Sequence, residues 1–294
     1  LVILGDTLAG TYMESQLASG NYDIQPFSVI DLFAGALLPG LVLVALYTVW
    51  LICIAVIRPD TCPPYYKEEI SFRTLAVQIV KALLPPAFLV VAVLGAILGG
   101  LATPTEAASF GGVGAILLAV SKRQLNREVL TDVLHTTTRI SAMVFGILLG
   151  ASLFSLTFRG FGGDVMVQNF LNSLPGGFTT AMVVVMLVMF LLGFVLDFIE
   201  IVFIVVPIVA PALLVAGISP VWLGVMMAVN LQTSFLTPPF GWALFYLRGV
   251  APDQIRTAEI YKGVAPFVVI QLISLGVLAY FPELATWLPN KILN

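Results

Sequence analysis

Charge is what this 294-residue sequence has least of: Asp, Glu, Lys and Arg together make up 10 % of it, against roughly 25 % in soluble domains. The net charge of −3 is too small to imply nucleic acid or another highly charged partner. Histidine occurs once, as His135, so neither a His-based metal site nor a Ser-His-Asp triad can be assembled from it. The two cysteines, Cys53 in an apolar run and Cys62 in a polar connection, define no disulfide framework. No GxxxxGK[ST] loop occurs, which argues against an ATP-driven pump within this chain. Period-two alternation is also absent, and with it the signature of a membrane barrel.

Apolar residues fill the space: they make up 60 % of the sequence, and the mean hydropathy is +1.06. Several runs reach the ~20 residues that a helix needs to cross a bilayer core. Backbone groups at that depth must be satisfied internally, so an all-α, polytopic membrane protein is expected. The runs predict helices over about 28–57, 75–99 (with Pro85 and Pro86 inside), 105–120 and 139–158, the last preceded by an amphipathic stretch, 124–138. Two apolar arms follow, about 178–196 and 198–216, then an interrupted run, 220–249, and a last helix, about 257–281. Residues 1–57 read as the end of a first repeat, 58–158 as scaffold helices and an amphipathic arm, and 159–294 as a second repeat. The chain opens on Leu1 without a basic-then-apolar leader, and is expected to be the later part of a longer polypeptide.

Eleven of the 13 basic residues cluster in three regions: between the first two long helices, between the third and fourth, and just before the last. The positive-inside tendency places those regions in the cytoplasm. A weak repeat pairs Leu1 to Gly10, Asp31 to Gly35 and Pro39 with Ala243 to Pro252, Glu259 to Gly263 and Pro266. Transporters often contain such repeats in inverted orientation. Charge bias and inversion agree only if the two arms form one re-entrant hairpin and 220–249 crosses as a single discontinuous helix.

The interruption reads Thr233-Ser234-Phe235-Leu236-Thr237-Pro238-Pro239-Phe240-Gly241. Adjacent prolines remove two backbone donors. A helix broken at mid-membrane exposes carbonyls at one half's end and amides at the other's start, a place where a cation and an anion can sit together. Thr233, Ser234 and Thr237 add hydroxyl oxygens that suit sodium, Asn230 and Gln232 add amides, and Gly241 permits close approach of backbone. A plain proline kink satisfied by its neighbours is the competing reading.

Asp197 and Glu200 form the one close acidic pair in the apolar hairpin. They read either as a functional pair at membrane depth or as caps of the second arm. Gly193, just before them, is where carbonyls are expected to turn toward an ion. Glu106, in Thr103-Pro104-Thr105-Glu106, reads as a helix start.

Three motifs together resemble the large (M) membrane subunit of tripartite ATP-independent periplasmic (TRAP) transporters: Gly99 to Ala108, the Leu196-Asp197-Phe198-Ile199-Glu200 tip with Pro207 and Pro211, and Asn230 to Gly241. The likeness runs through nearly the whole chain. It implies an elevator-type symporter of the bacterial inner membrane that imports organic acids with sodium. It also implies a small, Q-type membrane subunit and a periplasmic solute-binding protein as partners. Carried onto this sequence, it places a sodium site around Gly193 and Asp197, facing the break at Thr233 to Gly241, with Gly193 and Thr237 as the metal-contacting residues. It implies an earlier half, with a first hairpin and its own Pro-Pro break, upstream of Leu1. The wording Gln232 to Thr237 is similar to the branch associated with 2-oxo, hydroxy or aromatic acids. Two rivals remain: an intramembrane enzyme using Asp197 and Glu200, and a membrane scaffold without transport.

Overall fold

A computed structural model describes residues 1–24, 27–62, 71–238, 241–252 and 255–292. Among them the regular structure is helical throughout: α1 Val2–Ala18, α2 Val29–Ile57, α3 Phe72–Leu98, α4 Pro104–Ser121, α5 Arg127–Gly160 and α6 Gly163–Ser173. There follow α7 Gly177–Leu192, α8 Phe198–Leu214, α9 Pro220–Leu236, α10 Trp242–Val250, α11 Thr257–Tyr280 and α12 Glu283–Ile292. Five of these, α2 to α5 and α11, are long and apolar enough to cross a membrane. Their large side chains, among them Val56, Phe88, Val91, Phe110 and Leu149, lie exposed. Continuous apolar surface of this kind marks lipid or protein as the solvent.

Contacts divide the chain into two compact units, residues 1–48 with 144–294, and residues 49–143. In the smaller unit α3 packs against α4. Gly111 and Gly114, three apart on α4, make the approach possible. A Cβ at 111 would stand 3.3 Å from Val93, and one at 114 would overlap Leu89. Small residues at helix spacing are the usual means of close packing in lipid, where burial of apolar surface no longer drives helices together. The start of α4 is set by a capping box. The Thr103 N–H donates to the Glu106 carboxylate at 2.8 Å, and the Glu106 N–H donates to Thr103 Oγ1 at 3.3 Å, so two end groups are satisfied reciprocally.

In the larger unit α8 lies at the centre, packed by α1, α6 and α7. Ile201, Val206, Leu213 and Leu214 of α8, Met189 of α7, Leu8 of α1 and Leu223 and Met227 of α9 are at most 1 % exposed. Residues Ile201–Val205 of α8 form a π turn, with the Val206 N–H reaching back to Ile201 O. Pro207 follows and has no N–H to offer, so the wider turn absorbs the missing donor. The hairpin arms are thus α7 and α8, and the interrupted run is a pair of helices, α9 and α10.

Some boundaries differ from the sequence reading. The polar residues from Gly10 to Ala18, where no apolar run predicts a helix, continue α1, and the Thr11, Ser15 and Ser19 hydroxyls donate to carbonyls one turn back and hide their polarity. The amphipathic stretch and the helix at 139–158 form one continuous 34-residue helix, α5. No capping signal or proline separates them. Helices α6 and α12 were not expected; both are short and rich in polar residues. Helices α2 and α11, which the repeat pairs, start alike: Asp31 accepts from Ser28 N–H at 2.7 Å and Glu259 from Arg256 N–H at 3.0 Å.

Candidate functional site

The hairpin tip and the break in the α9–α10 run meet at Gly193 and Ser234. Gly193 ends α7 with φ −63° and ψ −8°, and its surroundings leave no room for a side chain. A Cβ there would overlap Ser234 Oγ, stand 2.7 Å from Ser234 Cβ and 3.4 Å from Phe190 O. Beyond Gly193 the turn tightens, with Phe194 N–H on Leu191 O at 3.2 Å and Val195 N–H on Leu192 O at 2.9 Å. Two further contacts hold the elements together. Asn230, 2 % exposed, donates through Nδ2 to Met186 O of α7 at 2.8 Å. The rings of Phe198 and Phe235 stand 6.0 Å apart between the start of α8 and the end of α9.

Helix α9 is discontinuous with α10 as the sequence indicated. It ends at Leu236, and Thr237 turns to extended backbone, φ −96° and ψ 126°. The hydroxyl protons of the three candidate ligands are committed locally: Thr233 Oγ1 donates to Val229 O at 2.8 Å, Ser234 Oγ to Leu231 O at 2.7 Å and Thr237 Oγ1 to Thr233 O at 2.8 Å. Each oxygen keeps lone pairs with which to accept or coordinate. Thr233 and Ser234 are fully buried, whereas Thr237 and Pro238 are half-buried. Pro239 lies outside the described residues. Gly241 restarts the chain: its N–H donates to Thr237 O at 3.1 Å, and a Cβ on it would stand 2.8 Å from Phe235 O.

Asp197 and Glu200 cap α8. Asp197 Oδ1 accepts from Phe198 N–H at 2.8 Å, and Glu200 Oε2 accepts from Asp197 N–H at 3.3 Å, the two forming a reciprocal box. Of the two readings left open for this pair, capping is the one the geometry displays. Among the described residues no group of three or more His, Cys, Asp or Glu could hold a metal ion. Neutral carbonyl and hydroxyl oxygens at two helix ends remain, a donor set that fits a hard monovalent cation better than a softer transition metal.

Beside the break lies a cavity of about 540 Å³, lined by α1, α2, α8, α9, α11 and α12. Gln232, Phe235 and Phe198 form its wall at the break, and Ser274 of α11 stands on its lining as well. The sequence reading singled out the break but missed α2 and α11 as walls. The available signal was the pair Gln271 and Ser274 at i, i+3 in an otherwise apolar run.

A hairpin whose tip packs on a discontinuous helix, in a chain with five helices long and apolar enough to cross a membrane, defines a polytopic membrane protein. The sequence profile described as "Tripartite ATP-independent periplasmic transporter, DctM component" matches residues 22–284, and the chain belongs to that family. It is 27 % identical over 290 residues to the C4-dicarboxylate TRAP transporter large permease protein DctM of Vibrio cholerae, covering 91 % of this chain and 62 % of that protein. It is 27 % identical over 264 residues to the ectoine TRAP transporter large permease protein TeaC of Halomonas elongata, covering 89 % and 60 %. The isethionate TRAP transporter permease protein DctMQ of Oleidesulfovibrio alaskensis is 30 % identical over 275 residues, covering 87 % and 40 %. The chain thus spans about three fifths of the length of the first two relatives. It is a multi-pass protein of the bacterial inner membrane.

Proposed function

We propose that the chain is the sodium-coupled large subunit of a secondary transporter that imports organic carboxylates. A periplasmic solute-binding protein would deliver the solute, and a small Q-type membrane subunit would complete the permease. The observation that carries this reading is the juxtaposition of Gly193 and Ser234. It holds the end of one half-helix, α7, against the end of another, α9, and so gathers carbonyl oxygens and hydroxyls where a sodium ion needs them. The start of α10 at the same break offers backbone N–H groups and the positive end of a helix dipole to a carboxylate. Sodium bound there would offset the charge of the solute and couple the two. The packing of the hairpin tip against the broken helix supports a movement of the two together, as an elevator.

Support for the partners comes from the family and from a relative whose name joins the M and Q components. The varied solutes in the relatives' names, a C4-dicarboxylate and ectoine among them, leave the particular anion to experiment. The test is uptake into proteoliposomes holding the full-length permease and its partners. An inward sodium gradient should drive accumulation of a radiolabelled carboxylate, and an equal potassium gradient should not. Uptake indifferent to sodium would end the reading.

A further inference from the structure

Gln271, in the middle of α11, is fully buried, yet neither atom of its amide finds a hydrogen-bond partner among the described residues. The same holds for Ser274 Oγ on α11 and for the Tyr47 hydroxyl on α2. Phe267, Gln271 and Ser274 follow one another at i, i+4 and i+7, so they share one face of α11. Tyr47 meets that face. Its ring stands edge-on to Phe267, centroids 5.1 Å apart, and its phenol approaches the Gln271 amide without a well-formed hydrogen bond. Four unpaired polar atoms thus gather where two helices of spanning length touch. Buried polar groups are nearly always satisfied, and at membrane depth leaving them bare is costlier still.

Whatever satisfies them must be small. All four atoms are shut off from the surroundings by the chain itself, so neither a partner's side chain nor a solute of several atoms reaches them in this packing. It must also both donate and accept. The Gln271 amide offers N–H donors beside its carbonyl oxygen, and the two hydroxyls can act in either sense. A monovalent cation would engage the three oxygens and leave the amide N–H groups bare. Water meets both needs, and internal waters typically make about three hydrogen bonds to groups of this kind.

The position of the cluster gives such water a role. Helices α2 and α11 are the pair that the weak repeat relates, with Pro39 of one matching Pro266 of the other. Tyr47 stands eight residues after Pro39, and Ser274 eight residues after Pro266. The two hydroxyls therefore come from equivalent positions of the two repeats. We propose that Tyr47, Gln271 and Ser274 enclose ordered water, which joins the repeat-related helices at these positions. The ring contact with Phe267 is apolar and tolerates sliding, whereas hydrogen bonds through the water are directional. The water thus fixes the register of α2 against α11.

X-ray footprinting of the full-length protein in detergent tests this, because the pulse splits bound water into hydroxyl radicals that oxidise the side chains beside it. Mass spectrometry should find Tyr47 oxidised several-fold faster in the parent than in Gln271→Leu, where the water has lost its amide partner. Ser274→Ala should lower the rate as well, and serves if Gln271→Leu fails to fold. Tyr280, 80 % exposed, is the control and should keep its rate throughout. Thermal unfolding adds a test of sign. With water in place, Gln271→Leu strands the two hydroxyls and should lower the midpoint by about 2–4 °C, whereas a dry cluster would gain from losing two unpaired atoms. Tyr47→Phe should then cost less in Gln271→Leu than in the parent, since the bridge is already gone. Any stabilisation of the parent by sodium over potassium should persist in Gln271→Leu. Equal oxidation of Tyr47 in parent and variants, a midpoint that rises in Gln271→Leu, or strictly additive losses would overturn the proposal. So would a sodium effect abolished by Gln271→Leu, which would give the place to a cation.

Discussion

Replacing Gly193 by alanine sets two calculable effects against each other. At φ −63° and ψ −8° the backbone suits any L-residue, and alanine would on conformational grounds stabilise by up to about 1 kcal/mol. Against this stands Ser234. Its Oγ could rotate away from the new methyl group, although it would give up the bond to Leu231 O at 2.7 Å. Its Cβ, 2.7 Å from the added carbon, moves only with the backbone of α9, which Asn230 ties to α7. Overpacking of this kind costs about 1–3 kcal/mol, so the steric effect wins and a net loss of about 1–2 kcal/mol is expected. Ser234→Gly in the same chain removes both offending atoms and should recover most of that loss. Unfolding in detergent of the parent, both single variants and the double variant gives the coupling directly. A coupling energy of about 1–2 kcal/mol is expected, together with weaker sodium activation of uptake in Gly193→Ala. A Gly193→Ala protein as stable as the parent, or strictly additive losses in the double variant, would show that the tip does not press on the break.

Asp197→Asn should leave uptake near the parent level, because asparagine caps a helix as well as aspartate does, while Asp197→Ala should lose about 1 kcal/mol of stability. If Asp197→Asn abolished sodium-driven uptake with stability intact, the charge and not the cap would be what matters. Thr237→Val removes the oxygen that bonds Thr233 O and should raise the sodium concentration for half-maximal uptake by about fivefold, the worth of roughly one ligand oxygen; unchanged activation would remove Thr237 from the ion site. Pro238→Ala with Pro239→Ala should cut uptake by more than about tenfold without preventing insertion, and full uptake would make the prolines incidental. With the exposed Cys53 and Cys62 first replaced by serine, cysteines placed at Ser219 and Pro252 should react with an impermeant maleimide from opposite faces of the membrane. Labelling of both from one face would defeat the broken-span topology.

The long spans were legible because apolar runs of spanning length have few alternatives, and the hairpin tip was legible because its acidic residues interrupt such runs. What was not legible followed from contacts between distant segments. Nothing near Gly10 to Ala18 says helix, since Thr11, Ser15 and Ser19 are polar in sequence and turn inward only in the fold. Two of the cavity's walls come from α2 and α11, so Leu46 and Ser274, more than 200 residues apart in sequence, could not be joined by any local pattern. Gly193 was noticed for the carbonyls near it. Its tightest constraint, the side chain of Ser234, lies on another helix.

The prolines are the instructive case, because the chain contains its own control. Pro85 and Pro86 stand side by side in α3, and that helix continues from Phe72 to Leu98 without a break. Two missing donors are therefore not enough to end a helix; they only lower the number of hydrogen bonds that a break would sacrifice. At Pro238 three further conditions hold. The Thr237 hydroxyl bonds Thr233 O, one of the last four carbonyls of α9, so that group does not depend on a continuing helix. Gly241 adopts φ −36° and ψ 101° where a Cβ would meet Phe235 O and Leu244, so the chain can fold back against itself there. The end of α9 is also buried against the hairpin tip, whereas the residues around Pro85 and Pro86 are largely exposed. Exposed to lipid, unpaired carbonyls and amides are untenable, and the helix stays closed; enclosed by protein, they can be left for a ligand. Enclosure decides which Pro-Pro pair opens into a break, and the enclosing residues at this one come from the hairpin.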